Sequence, residues 1–279
     1  MTAKELLKKY QGKLEPAELD QILALAMHKK IEYLYKNPEK KLSVSTVKTF
    51  KKLFLLRLAN WPLAYLKGDK EFCGLKFKVN KNTLVPRPES ELIVAEALKY
   101  ITRLDSRSTR QENNHQIIDI GCGSGALILS LAKLSKKKAN YIALDISAKT
   151  LGIAKTNARK LGLKKIKFIK SDLLKNVLPI KFDLVLANLP YLNPKQLKEP
   201  SIKKEPRLAL LSGQDGLDHY RQLFVQVPKY LNKEYLLLLE INPEQKEAIE
   251  KIITANLPDG KIKFLKDLTG HLRVVKISN

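Results

Sequence analysis

At 279 residues the chain is long enough for one large domain or two modest ones, each burying its own core. Apolar residues make up 44% of it, yet no stretch approaches the roughly 20 uninterrupted apolar residues of a membrane-spanning helix, so the sequence reads as a soluble protein without a membrane partner. Its 52 Lys and Arg against 28 Asp and Glu give a net charge of +24, which would steer an acidic or polyanionic partner, or is solvated surface if the lysines are merely scattered; no block of six like charges decides between the two.

Met1 to Tyr10 sets Lys4, Lys8 and Lys9 around Leu6 and Leu7 without a long apolar core or a cleavage site, which reads as a helix start rather than a signal peptide. Up to Leu58 apolar residues recur at three- and four-residue spacing, as in Leu19, Ile22, Leu23 and Ala26 and again in Val44, Val47, Phe50, Leu53 and Phe54, which predicts three or four helices. Pro16 suits a first helical turn. Asn37-Pro38 and Trp61-Pro62 interrupt the pattern, because a residue before proline is pushed out of the helical region. Between Glu71 and Val79, Leu75, Phe77 and Val79 alternate with lysines around Gly74, a hairpin pattern read as the connector. Cys73 and Cys122, the only cysteines, are far apart and lack metal-ligand spacing, so neither a disulfide framework nor a metal site is expected and a reducing cytoplasm fits.

From Gln116 onward short apolar strands alternate with helices, the pattern of an α/β domain with a mostly parallel sheet. Strands are predicted at 116–120, 141–144, 166–169, 182–187, 235–241, 261–265 and 273–277, and helices at 125–135, 147–161, 214–231 and 243–256. The connection between the last two strands is too short for a crossover, so these should pair antiparallel. The polar stretch 105–115 reads as a surface loop.

Asp119-Ile120-Gly121-Cys122-Gly123-Ser124-Gly125 falls where a strand gives way to a helix, a place where glycine lets the backbone approach a nucleotide. Asp145 ends the next strand, 20 residues after Gly125, where an acid can accept hydrogen bonds from ribose hydroxyls or simply cap a helix. Asp172 follows the third strand and could accept an adenine amino proton. Gly121-x-Gly123-x-x-Ala126 also satisfies the dinucleotide fingerprint, so the loop alone leaves both a nicotinamide cofactor and S-adenosylmethionine open.

Asn188-Leu189-Pro190-Tyr191 follows the fourth strand, at the sheet edge where ligands bind. An amide or aromatic amine nitrogen is a poor nucleophile because its lone pair is delocalised. The Asn188 side-chain oxygen and the Leu189 carbonyl can each accept one of its N–H hydrogens and favour the pyramidal nitrogen that forms as a methyl group arrives. Tyr191 would pack on the planar group and exclude water. In-line placement then supplies much of the rate, without an acid or a metal.

Taken with these motifs, Pro62 to Leu66, Phe72-x-Gly74, Val85-Pro86-Arg87-Pro88-Glu89-Ser90, Glu205-Pro206-Arg207-Leu208-Ala209-Leu210 and Asp267-Leu268-x-Gly270-x-x-Arg273 make the chain resemble, nearly end to end, the HemK/PrmC family of release factor N5-glutamine methyltransferases. The resemblance implies a class I, Rossmann-like methyltransferase domain with a seven-stranded, mostly parallel sheet over 85–279. Ahead of it would lie a small all-α substrate-recognition domain over 1–68 and a β-hairpin linker over 69–84. It implies S-adenosylmethionine as cofactor, held by Asp119, Gly121, Cys122, Gly123, Ser124, Gly125, Asp145, Asp172, Leu173 and Asn188. It makes peptide chain release factors the partners in translation termination, through the glutamine of a Gly-Gly-Gln motif held by Asn188, Leu189, Pro190 and Tyr191, in a cytoplasmic monomer. Arg87 and Glu89 would organise the site's edge or form an ion pair anchoring the linker. Three departures stand out: Leu189 where the family has proline, Ser90 where threonine is usual, and Asn242 where glycine is usual. The last two are not expected to touch the chemistry. A nucleic-acid methyltransferase acting on the adenine amino group uses the same Asn-x-Pro-Tyr chemistry and would suit the positive charge, although no target-recognition domain is evident. A basic binding module that keeps the fold without activity is the third reading.

Overall fold

The computed structural model describes residues 1–107, 115–135 and 137–279, with all their side chains except those of 104–107. It divides into two compact units, Met1–Gly68 with Glu199–Lys204, and Asp69–Lys198 with Glu205–Asn279.

The smaller unit holds α1 (Ala3–Tyr10), α2 (Pro16–Ala26), α3 (Ile31–Lys36), α4 (Val44–Leu58) and α5 (Leu63–Lys67). Thr2 and Glu5 close a reciprocal capping box at the start of α1, and the Ser43 hydroxyl caps α4, so the first turns have their orphan N–H groups satisfied. Leu6, Leu19, Ile22, Leu23, Leu34, Phe50 and Phe54 form the core. Tyr10 meets the rings of Phe50 and Phe54 edge-on at 5.2 and 4.6 Å, a geometry that adds to plain area burial.

The larger unit opens with an antiparallel hairpin, β1 (Asp69–Phe72) and β2 (Leu75–Lys78). Its two turn residues, Cys73 and Gly74, both have positive φ, as a two-residue turn matching strand twist requires. Phe72 and Phe77 bury into this unit's own core. Next comes α6 (Glu91–Arg107), a helix the sequence reading did not specify; Ile93, Val94, Ala97 and Ile101 bury along one face. The stretch expected as a loop at 105–115 is helical at its first three residues, and 108–114 lie outside the described residues.

Then follow β3 (Gln116–Ile120), α7 (Ala126–Leu134), β4 (Asn140–Asp145), α8 (Ala148–Lys160), β5 (Ile166–Lys170), β6 (Phe182–Ala187), α9 (Asp218–Gln226), β7 (Leu231–Glu240), α10 (Lys246–Asn256), β8 (Lys261–Lys266) and β9 (Leu272–Ser278). The seven-stranded sheet runs β5-β4-β3-β6-β7-β9-β8. Its first five strands are parallel, and β9 pairs antiparallel with both β7 and β8, as the short final connection predicts. Alternate residues of the buried β6 serve two cores. Val185 faces the one shared with α9 and α10, and Leu184 and Leu186 face the one shared with α6, α7 and α8.

The helix expected at 214–231 is shorter. Pro228 has no N–H to continue the ladder, so Val227–Tyr230 tightens into a 3-10 turn and β7 begins at Leu231, four residues ahead of expectation. Among the described residues no helix is long and apolar enough to cross a membrane, and no group of three His, Cys, Asp or Glu is placed to hold a metal ion.

Candidate active site

The loops that leave the carboxyl ends of β3, β4, β5 and β6 border a cavity of about 300 Å³ within the larger unit. In an open parallel sheet this edge is where successive loops diverge and leave room for a ligand. Of the residues singled out from sequence, Gly121, Cys122, Gly123, Ser124, Asp145, Asp172, Leu173, Asn188, Leu189 and Pro190 line it. Gly125 and Tyr191 adjoin these in sequence but are not on the wall.

Two glycines shape the first loop. Gly121 has φ +74, and a Cβ there would sit 3.2 Å from Leu189 Cδ2, so the loop and the Asn188 segment approach as closely as they do only because the side chain is missing. Gly123 has φ +57 and faces open space. Its N–H donates to Asp145 Oδ2 at 3.0 Å, while Ser147 N–H donates to Oδ1 at 2.9 Å. Burial raises the Asp145 pKa despite these two donors. Fully buried Asn157 on α8 supports the same loop: its Nδ2 donates to the Ser124 carbonyl at 2.9 Å and to the Lys78 carbonyl at 3.0 Å, and its Oδ1 accepts the Lys78 N–H at 2.7 Å. Asn157 was not legible as a site residue, because nothing in the helix sequence marks which polar residue is buried.

Asp119 stands apart. It is fully buried, off the cavity wall, with Oδ2 accepting the Ile128 N–H at 3.3 Å and Oδ1 unpartnered. Burial pushes its carboxyl up to about 7, the Ile128 N–H opposing and the charge of Asp145 reinforcing. Asp172 is paired with Lys175 at 2.5 Å, and Leu173 beside it has positive φ, +49. His219, unremarked in the sequence, also lines the cavity, its Nδ1 2.7 Å from the Ser212 hydroxyl.

Asn188 is held from behind. Its Nδ2 donates to Ser90 Oγ at 3.0 Å and to Glu240 Oε2 at 2.8 Å, and Tyr191 donates its phenolic hydrogen to Glu240 Oε1 at 3.2 Å. Ser90, expected from sequence to stand clear of this segment's chemistry, bonds directly to the Asn188 side chain, because the turn at Pro88–Ser90 brings its hydroxyl to the end of β6. Glu240, 2% exposed, could have been found: it is the one charge closing the apolar run Leu236 to Leu239, at the same sheet edge as Asp145 and Asn188. Among the described residues nothing hydrogen-bonds to Asn188 Oδ1 or to the Leu189 carbonyl. Arg87 pairs with Glu205, which also accepts the Val85 N–H at 2.9 Å; the ion pair with Glu89 considered from sequence gives way to this link between the two wall segments.

The sheet order, the glycine loop and the acid closing β4 define a class I S-adenosylmethionine-dependent methyltransferase. Residues 111–263 match the family model described as a methyltransferase domain. The "Release factor glutamine methyltransferase" of Enterococcus faecalis is 34% identical over 220 residues, 78% of this chain and 76% of that one. The chain belongs to the release factor glutamine methyltransferase family. It is also 31% identical over 280 residues to a "Bifunctional methyltransferase" of Rickettsia felis, covering 92% of this chain but 53% of that protein, so it spans about half the length of that relative. In fold it is similar to a 16S rRNA methyltransferase of T. thermophilus solved with AdoMet and guanosine, at a TM-score of 0.52 and 19% identity over 76% of this chain and 49% of that one.

The cavity suits S-adenosylmethionine. Among the described residues its charged side chains are Asp145, Asp172 and a single cation, Lys81, a balance that fits a ligand carrying a sulfonium and no phosphate. The glycine pattern alone leaves a dinucleotide open, and membership of a methyltransferase family decides for S-adenosylmethionine.

Proposed function

We propose that the protein transfers a methyl group from S-adenosylmethionine to the N5 side-chain amide nitrogen of the glutamine in the Gly-Gly-Gln motif of peptide chain release factors, in the cytoplasm. The observation that carries this reading is the pair of unengaged acceptors, Asn188 Oδ1 and the Leu189 carbonyl, at the mouth of a cofactor-sized cavity. The name of the 34%-identical relative supplies the substrate class.

In this reading Gly121 to Gly125 and the Asp172-Leu173 pair hold the cofactor, and Asp145 accepts hydrogen bonds from its ribose. Bound S-adenosylmethionine supplies an electrophilic methyl carbon on a positively charged sulfur. Asn188 Oδ1 and the Leu189 carbonyl each take one N–H of the substrate amide, which draws the nitrogen out of conjugation and aims its electron pair away from the two acceptors. As the nitrogen–carbon bond forms, the electrons of the broken carbon–sulfur bond stay on sulfur, and one nitrogen proton leaves past the same oxygens to water. Most of the acceleration comes from placement, where orientation alone can be worth ~7 kcal/mol or more. The helical unit would recognise the body of the substrate.

The deciding experiment supplies labelled S-adenosylmethionine together with release factor, its Gln-to-Ala variant, and DNA or RNA in parallel. Label on release factor alone is expected, and label on nucleic acid alone would replace this reading with an amino-group methyltransferase of nucleic acid. Asn188→Ala should lower kcat by about 100-fold or more while the fold is retained by circular dichroism.

A further inference from the structure

We propose that Glu240, together with Ser90, sets which end of the Asn188 side-chain amide faces the cavity, and is thereby a positioning residue for methyl transfer. The inference rests on the reading of Asn188 as acceptor for the substrate amide.

The two ends of an asparagine amide are nearly the same size, and half a turn about its last bond exchanges acceptor for donor. Turned the wrong way, Asn188 would aim N–H groups at the N–H groups it must receive. Neighbouring backbone does not decide the matter, because Oδ1 has no partner among the described residues. The neighbour that decides is Glu240: an ionised carboxylate only accepts, so the end of Asn188 lying 2.8 Å from Oε2 is the nitrogen. Ser90 donates its own hydrogen to the same Oε2, which leaves its lone pairs turned toward the second Nδ2 hydrogen at 3.0 Å. Both Nδ2 hydrogens are thus used, and Oδ1 is the end left for the cavity. Reversal would set Oδ1 against a carboxylate oxygen in surroundings from which water is excluded, where like partial charges repel strongly.

Tyr191 fixes the other side of the carboxylate by donating to Oε1 at 3.2 Å, so Glu240 cannot swing away from Asn188 without losing a second bond. A charge buried at the end of an apolar strand disfavours folding unless it is well hydrogen-bonded. Burial, with Glu89 adding to it, still raises the Glu240 pKa, but three side-chain donors and the nearby Arg273 offset part of that cost, and the return is a fixed polarity at Asn188.

The test compares Glu240→Gln, Ser90→Ala, Ser90→Thr and Asn188→Ala, and the double variant Glu240→Gln/Asn188→Ala, in single-turnover transfer of labelled methyl to release factor. S-adenosylmethionine affinity by calorimetry and proton exchange of the Asn188 side-chain amide by nitrogen-15 NMR run beside it. Glu240→Gln is expected to slow transfer by about 10- to 100-fold and to leave cofactor affinity within about threefold. Ser90→Ala should slow it less, and Ser90→Thr, which keeps a hydroxyl able to donate to Oε2, should transfer faster than Ser90→Ala. The double variant should be no slower than Asn188→Ala, because an effect exerted through Asn188 vanishes when Asn188 is gone, whereas a general structural effect would multiply. The native Asn188 amide protons should exchange slowly and lose protection in Glu240→Gln. A native rate in Glu240→Gln beside a slow Asn188→Ala, or multiplying effects in the double variant, would overturn the proposal. If Asn188→Ala itself transfers at the native rate, the acceptor reading has failed instead, and the amide exchange still reports whether Glu240 orients the side chain. Should Glu240→Gln not fold, Ser90→Ala decides, with unchanged rate and unchanged protection counting against.

Discussion

At the level of single residues, Asp119 and Leu189 show how the same chain uses burial in two ways. Asp119, next to last in β3, is fully buried, and its carboxyl is pushed up to about 7. Between the unfolded value near 4 and this one, the folded protein binds a proton that the unfolded chain does not, so the contribution of this group to stability should fall as pH rises through that window and be fully lost above it. Asp119→Asn should remove part of that slope, up to ~1.4 kcal/mol per pH unit, and raise the melting temperature of the ligand-free protein at pH 8. Burial shifts Asp145 and Glu240 the same way, so a residual slope is expected. Denaturant titrations at pH 5, 6, 7 and 8 check this, and identical slopes in the two proteins would clear Asp119 of any part in it. Leu189, where the family resemblance implies proline, packs against the Gly121 backbone, and its N–H donates to nothing among the described residues. Leu189→Pro should therefore fold and keep kcat within about fivefold, since no hydrogen bond is lost and the carbonyl remains. A hundredfold loss in steady-state turnover would mean that the leucine side chain takes part in placing the substrate.

Between elements, Asn157 is the clearest joint, since one buried amide ties β2, α8 and the glycine loop through three hydrogen bonds. Removing it strips this partner from the buried Ser124 carbonyl and from the part-buried Lys78 N–H and carbonyl. Asn157→Ala should cost about 2 to 4 kcal/mol by chemical denaturation, because unmet buried polar groups carry most of their desolvation penalty. It should also weaken S-adenosylmethionine binding in calorimetry, through the loosened Ser124 end of the loop. A cost below about 0.5 kcal/mol would show that water replaces the amide. The hairpin strands read correctly from sequence because their alternation is local. The α6 helix and the early start of β7 did not, since the first depends on which face the sheet covers and the second on one missing N–H at Pro228.

For the whole molecule, charge is the outstanding question. From Ser147 to Ser171 the chain carries Lys149, Lys155, Arg159, Lys160, Lys164, Lys165, Lys167 and Lys170 with no Asp or Glu, and all eight are exposed. If this field steers an acidic partner, raising salt from 50 to 300 mM should lower kcat/KM while kcat holds, as screening acts on encounter more than on chemistry. Lys164→Glu with Lys165→Glu should reduce kcat/KM in the same sense and flatten its salt dependence. A capture rate indifferent to salt would return the lysines to plain surface.

The sequence by itself determined what local patterns and motif order can carry. It specified the alternation of strands and helices, the antiparallel final pair, the glycine loop with Asp145 at one edge, and Asn188 with Leu189 after the fourth strand. Each of these follows from periodicity or from a strand's end, and neither needs a distant partner. Only the tertiary structure decided that Ser90 and Glu240, 98 and 52 residues from Asn188, close on its amide, that Arg87 reaches Glu205 rather than Glu89, and that Asp119 sits off the cavity wall. Side-chain polarity at a site is set by neighbours brought together across the sheet, and their sequence separation leaves no periodic trace.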